Sequence, residues 1–229
     1  MSKIKYIEIF YSIQGEGVNF GVPSIFLRLP YCNLRCEWCD TKYSLEPEKV
    51  YEDEPEPLCT FLAARNSVAK NVVITGGEPM LQKSTLAELL KLLKDKGMKI
   101  EIETNGTIEP EQGMIGYVDC FNVSPKLSNS GVNKGARITK ALKSFAKLAE
   151  AGKAWFKFVV KSEEDVIEAM DEVIVPYNIL LNRVILMPLT IDGHYDRSQA
   201  AKVIELCKKY GFRFSPRIQV EVYGNRRLV

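Results

Sequence analysis

The chain has 229 residues, 46% of them hydrophobic and 26% charged, with a formal net charge of +2. That length supports one sizeable core rather than two, so a single domain over residues 1–229 is expected. The near-neutral balance lacks the basic excess or stripe of a nucleic-acid binder. No run approaches the roughly 18 apolar residues that a membrane span needs. Met1-Ser2-Lys3-Ile4-Lys5 leads into a strand-like stretch and not a signal segment, so the expected setting is cytoplasmic, with neither nucleic acid nor membrane as partner. One histidine, His194, argues against paired-histidine metal sites and histidine relays.

In chain order, a polar, glycine-flanked stretch, Tyr11 to Gly17, reads as a hairpin loop ahead of a strand, Phe26-Leu27-Arg28-Leu29. Glu46 to Pro57 is acidic and proline-rich and reads as a surface loop. The strand Val72-Val73-Ile74 runs into Thr75-Gly76-Gly77-Glu78-Pro79. A helix from about Thr85 to Lys96 follows, with Thr85 and Glu88 placed for a capping box. Ile100-Glu101-Ile102-Glu103 precedes Thr104-Asn105-Gly106, and Phe121-Asn122-Val123 precedes Ser124-Pro125-Lys126. A helix over Ile138 to Ala151 ends at Gly152. The strand Phe156 to Val160 precedes a helix beginning near Ser162, and Val184 to Met187 precedes a helix from Arg197 to Tyr210. The tail from Val220 to Val229 reads as an edge strand at a subunit interface or as substrate-contacting, and its Arg226-Arg227 pair as ordinary surface.

Strands alternating with helices imply βαβ units around a parallel sheet. A full eight-unit barrel takes about 250 residues, and the residues before Val72 are given mainly to loops and cysteines. The expected fold is therefore α/β, an incomplete (β/α)6-like TIM-type barrel with an N-terminal strand and loop extension and a short C-terminal tail. The motifs TGGEP, TNG and SPK each follow a strand, where such sheets build their active sites.

The sequence Cys32-Asn33-Leu34-Arg35-Cys36-Glu37-Trp38-Cys39 gathers three of six cysteines; Cys59, Cys120 and Cys207 are scattered and read as small buried hydrophobes. In a reducing compartment a tight cysteine cluster means metal or redox chemistry. A structural zinc site wants four ligands, usually as two pairs, and no second pair exists. Electron-transfer clusters take four thiolates. Three thiolates without an obvious fourth leave one iron of a [4Fe–4S] cube open to a substrate or cofactor.

This C-x3-C-x2-C spacing, with an aromatic before the last cysteine, closely resembles the signature of the radical S-adenosylmethionine superfamily. The resemblance implies that the open iron chelates the methionine amino and carboxylate groups. An electron from the cluster then breaks the sulfonium bond to give a 5′-deoxyadenosyl radical. It implies cofactor contacts from Trp38, beside adenine or in local loop packing, and from Asp40. In the GGEP motif it implies Gly77 and Glu78, whose carboxylate or neighbouring carbonyls accept from an ammonium. Glu103 and Asn105 of ETNG fit ribose hydroxyls or a carboxylate, an Asn-Gly turn being the other reading of Asn105. Ser124, Pro125 and Lys126 follow the next strand, and Met187 serves either adenine or the core.

SIQGEG, FLRL, the cysteines followed by Asp40-Thr41, TGGEP, ETNG and SPK together, in this order, resemble the 7-carboxy-7-deazaguanine synthase family. The resemblance implies a substrate set of Ile13, Gln14, Gly15, Glu16, Arg28, Thr75 and Gln219. Gln14 and Glu16 match the donor and acceptor edge of a pterin, and Arg28 can hold a carboxylate bidentately. Thr41 offers a hard oxygen to Mg²⁺. The implied reaction is ring contraction of 6-carboxy-5,6,7,8-tetrahydropterin with loss of ammonia and regeneration of S-adenosylmethionine. A homodimer and a flavodoxin- or ferredoxin-type reductant are implied as partners. Gln219 stands where the family often places a histidine, so it can hydrogen-bond but cannot titrate. A glycyl-radical activase shares the cysteine spacing but has no use for a pterin-shaped pocket.

Overall fold

The computed structural model describes residues 3–65, 68–191 and 193–229; Met1 and Ser2, which open the strand-like stretch, lie outside it. The strands are β1 (Ile4–Tyr6), β2 (Glu8–Ile13), β3 (Pro23–Leu29), β4 (Tyr51–Asp53), β5 (Asn71–Gly76), β6 (Lys99–Thr104), β7 (Cys120–Val123), β8 (Ala154–Val160), β9 (Val184–Pro188) and β10 (Arg213–Phe214). The helices are α1 (Pro55–Arg65), α2 (Lys83–Asp95), α3 (Gln112–Ile115), α4 (Lys134–Arg137), α5 (Ala141–Glu150), α6 (Glu163–Ala169), α7 (Arg197–Tyr210) and α8 (Ile218–Tyr223). Eight strands form one sheet in the order β10-β9-β8-β7-β6-β5-β3-β2. From β3 to β10 every pairing is parallel, and β2 adds to β3 antiparallel. Its end strands β2 and β10 do not pair with each other, so the sheet stays open, as the length predicts.

The period-2 alternation of strand side chains sorts residues to two faces. Val72, Ile74, Ile100, Ile102, Phe121, Val123, Phe156 and Phe158 point outward into the main core, against Leu86, Leu89, Leu90 and Leu93 of α2, Phe145 of α5 and Val203 of α7. The inner face is different. Glu101 and Glu103 of β6, Asn122 of β7 and Lys157 of β8 meet one another across the interior. Cys120, Trp155 and Ile185 form a separate small apolar floor with Val18, and Arg183 and Arg213 close it by lying 4.8 and 4.5 Å from the Trp155 ring centroid.

Four local expectations change. The acidic stretch Glu46 to Pro57 is not all loop. Tyr51–Asp53 pairs with β1, and Pro55 opens α1, a first-turn position where its missing N–H costs nothing. Tyr6 stacks on Tyr51 with centroids 5.5 Å apart and its hydroxyl donates to Asp53 at 2.6 Å, which fixes that two-stranded sheet. The Thr85–Glu88 capping box does not form, because a 3-10 turn over Pro79–Gln82 runs straight into α2 and places Thr85 inside the helix. The helix foreseen from Ile138 starts later, as α5 at Ala141, because Ile138 is the extended C-cap of a separate preceding turn, α4, which Asn133 caps through Ala136 N–H at 3.1 Å. The tail is no edge strand. Its alternating Ile218-Gln219-Val220-Glu221-Val222 winds into α8, whose first N–H donates to the Gly15 carbonyl at 3.2 Å.

The Phe145 ring is fully buried and meets Phe121 edge-on at 5.7 Å, joining α5 to the sheet. Phe145→Ala is expected to cost about 3–5 kcal/mol, read as a lower midpoint in urea denaturation at unchanged slope.

Candidate active site

The loops beyond the C-terminal ends of the parallel strands enclose a cavity of about 580 Å³, within the range of small-molecule sites. Its wall carries Cys32, Cys36 and Cys39 on one side and Ile13, Gln14, Gly15, Glu16, Arg28, Thr75 and Gln219 on another. Trp38, Asp40, Thr41, Gly77, Glu103, Asn105, Ser124, Lys126 and Met187 also line it. Nearly every residue singled out from the sequence thus faces one space.

Two do not. Pro125 is buried away from the cavity. Glu78 is fully buried, and both its oxygens are engaged by the protein: Oε1 accepts from Met80 N–H at 2.9 Å and Thr104 Oγ1 at 2.7 Å, Oε2 from Asn105 N–H at 2.7 Å. Burial pushes its carboxyl up despite these donors. Glu78 therefore shapes the turn, and of the two acceptors considered for an ammonium only the neighbouring carbonyls remain.

The three cysteines are half-buried and unpaired, while Cys59, Cys120 and Cys207 are buried elsewhere. Burial pushes the Cys32 and Cys36 thiols up, so thiolate there calls for a cation. Among the described residues no group of three or more His, Cys, Asp or Glu side chains closes on a single metal ion. A four-iron cube is wider than one ion, and three thiols spread along one loop suit it in number and chemistry. The loop is held from two sides. Gly77 N–H donates to the Leu29 carbonyl at 3.0 Å and Glu78 N–H to the Tyr31 carbonyl at 2.8 Å. A Cβ on Gly77 would run into the Tyr31 carbonyl oxygen, so only glycine permits this approach. On the far side Trp38 Nε1 donates to the Asn129 carbonyl at 2.9 Å, and Lys126 Nζ lies 5.5 Å from the indole centroid. Asn105 Nδ2 donates to Asn33 Oδ1 at 2.9 Å and sits 3.8 Å from Cys32 Sγ.

The side of the cavity formed by Gln14, Glu16 and Gln219 rests on charges within the barrel. The loop from Gln14 to Asn19 enters the open sheet: Gln14 Nε2 and Asn19 Nδ2 both donate to Glu101, and Asn122 Nδ2 joins them at 2.5 Å. Glu16 accepts from Lys157 Nζ at 2.5 Å, from Arg217 Nε at 3.1 Å and from Gln219 Nε2 at 2.7 Å. Burial alone would raise the Glu16 carboxyl, but the Lys157 and Arg217 charges outweigh it and hold it well below the carboxylate range. Lys157 also bonds Glu103 at 3.0 Å, and Arg217 bonds Asp40 and Thr190. Asp40 in turn accepts from Thr41 Oγ1 at 2.7 Å. Gln219 Oε1 is buried against Gly15 and has no hydrogen-bond partner among the described residues.

Sequence reading missed Glu101, Asn122, Lys157 and Arg217. One signal was present: Glu101 and Glu103 two apart, and Lys157 alone in an apolar strand, mark an inward polar face. For Arg217 there was none, since its partners lie at residues 16, 40 and 190.

Comparison with known proteins agrees with this geometry. A family model described as the radical SAM superfamily matches residues 27–173, and the chain belongs to that superfamily of enzymes, which work with a [4Fe–4S] cluster and S-adenosylmethionine. Along its length the chain is 38% identical to a 7-carboxy-7-deazaguanine synthase of Pyrobaculum aerophilum, over 98% of this chain and 97% of that one. It is 35% identical to one of Hyperthermus butylicus, over 96% and 92%. The crystal structure of QueE from Escherichia coli superposes with a TM-score of 0.72 at 28% identity, covering 93% of each chain. Within the superfamily, then, the chain is a member of the 7-carboxy-7-deazaguanine synthase family.

Two outcomes follow from the site's construction. Gly77→Ala is expected to cost about 1–3 kcal/mol and to lose most of the iron on anaerobic reconstitution, measured as iron per chain. Glu101 has its carboxyl pushed up to about 7, by burial and then by the Glu103 charge. A raised carboxyl favours the folded state while protonated, so this contribution is present at low pH and is lost as pH rises through about 7. Glu101→Gln should flatten that part of the stability–pH curve, measured by denaturation at intervals between about pH 5 and 8.

Proposed function

We propose that this enzyme converts 6-carboxy-5,6,7,8-tetrahydropterin to 7-carboxy-7-deazaguanine with loss of ammonia, using S-adenosylmethionine catalytically and assisted by Mg²⁺. The observation that carries the reading is the single cavity on which the three cluster cysteines, the GGEP and ETNG loops and the Gln14-Glu16-Arg28 set all open. When bound, the cluster and S-adenosylmethionine supply one-electron radical chemistry. The remaining work belongs to this chain. Cys32, Cys36 and Cys39 would hold three irons. Gly77, the carbonyls beside it, Glu103, Asn105, Ser124, Lys126, Trp38, Asp40 and Met187 would seat the cofactor.

Gln14 gives both amide hydrogens to Glu101 and Glu103, at 3.3 Å for the latter, and its oxygen accepts only a long bond from Glu16 N–H at 3.4 Å, so what it can still offer is a lone pair on that oxygen. It therefore accepts from the amino-pyrimidine edge of a pterin, and Glu16, held ionised by Lys157 and Arg217, accepts beside it. Arg28 binds the substrate carboxylate. Thr41, already linked to Asp40, supplies a neutral oxygen to Mg²⁺, which keeps most of its ligands as water and substrate oxygens. Gly15 packs so closely against Gln219 that a Cβ would collide with its amide, which ties α8 to the substrate loop. The family likeness also supports a homodimer and a flavodoxin- or ferredoxin-type electron donor. No helix among the described residues is long and apolar enough to cross a membrane.

Anaerobically reconstituted protein, with reductant, S-adenosylmethionine and Mg²⁺, is expected to form the deazaguanine chromophore and ammonia from the carboxylated tetrahydropterin. Cys36→Ala should lose both products together with the cluster. A protein that cleaves S-adenosylmethionine but leaves the pterin untouched would favour the activase reading instead.

A further inference from the structure

Four side chains drawn from the two ends of the chain meet at one corner of the cavity. Glu8 of β2 is buried and accepts three bonds: from Arg28 Nε at 2.5 Å, from the Tyr43 hydroxyl at 2.9 Å and from an Arg227 terminal nitrogen at 2.9 Å. Arg227 lies with its guanidinium carbon 3.9 Å from the Tyr43 ring centroid, and Arg28 lies 5.9 Å from the same ring. The tail is therefore no loose surface strand here. It is fixed by α8 on the substrate loop and by the Asn225 side chain against Gly193.

The charges at this corner do not balance. Two guanidiniums share one carboxylate. Burial alone would raise the Glu8 carboxyl, yet Arg28 and Arg227 hold it below the ordinary range, so it stays an acceptor. Arg28 spends only its Nε on the protein, and its terminal nitrogens bond no described residue. Arg227 spends one terminal nitrogen on Glu8 and is otherwise half-exposed into the cavity mouth. Donors thus remain on both sides of a site with one surplus positive charge, two residues along from Thr41.

We infer that Arg227 is a substrate-binding residue, the second arm of a carboxylate clamp whose first arm is Arg28, with Glu8 and Tyr43 holding the two guanidiniums apart and oriented. The inference rests on the pterin reading of the cavity and extends it to a residue in the C-terminal tail. Guanidinium forks match carboxylates in geometry and charge. A clamp made by the tail would make recognition of the carboxylate and seating of the tail one event.

The test uses cluster-loaded enzyme with S-adenosylmethionine, in anaerobic equilibrium dialysis against 6-carboxypterin and against pterin, which lacks the carboxylate. Wild type should prefer 6-carboxypterin. Arg227→Gln should weaken 6-carboxypterin about fivefold to twentyfold, the scale of one charge-assisted bond partly open to water, and leave pterin unchanged. Arg227→Lys, which keeps the charge and loses the fork, should fall between. An Arg227→Gln enzyme that binds 6-carboxypterin like wild type, or that weakens both pterins alike, overturns the clamp while leaving the pterin site standing. Wild type that binds neither probe overturns the pterin reading and the clamp with it.

Discussion

The structure depends on a line of alternating charges that runs from the interior of an open barrel to its mouth: Glu103, Lys157, Glu16, Arg217 and the exposed Asp40. The first four ions are largely withdrawn from water, which costs several kcal/mol each unless neighbours replace the lost solvation, while Asp40 stays exposed. Here each interior member has an opposite charge on both sides. The line begins on β6, crosses to β8, catches the loop that leaves β2, passes to the C-terminal tail and ends next to Cys39. Removal of one member strands its neighbours, so the loop after β2, the tail and the cysteine loop depend on one another for their placement. Lys157 and Arg217 are correspondingly held more firmly protonated than usual by the carboxylates facing them, against the opposing effect of burial.

That line also accounts for the open sheet. A closed barrel fills its interior with its own strand side chains. In this sheet β10 has two residues and does not reach β2, so the interior is completed by a loop, with Gln14 and Asn19 seated on Glu101 and Val18 on the Trp155 floor. The filling is polar, which leaves donors and acceptors facing the cavity above it. The outer face of the same strands is uniformly apolar and carries the helices. Stability and site are thus divided between the two faces of one sheet by the alternation of β-strand side chains.

Much of this was legible in the sequence because it is local. Long apolar strands and the periodic helices α2, α5 and α7 announce themselves within a dozen residues, and the motifs follow strand ends as α/β architecture requires. The cysteine spacing is a feature of a single loop. What failed locally failed for identifiable reasons. Pro79 began a turn that absorbed the expected cap. An acidic stretch hid a short strand because its stabilising partners, Tyr6 and β1, are far back in the chain. The alternating tail reads as a strand until its buried Val220 and its contact with Gly15 are known.

The amino-acid sequence by itself determined the class of fold, the close spacing of Cys32, Cys36 and Cys39, the order of loops around one mouth and the family. It did so because hydrophobic period, turn chemistry and ligand spacing are encoded over short distances. Only the tertiary structure decided that Glu78 turns inward, that Gln14 spends its amide hydrogens on Glu101 and Glu103, and that Arg217 and Arg227 line the cavity. These depend on which charges meet across separations such as 16 to 217 and 8 to 227, and an arginine's role is set by the carboxylate it faces, which no local pattern of residues records.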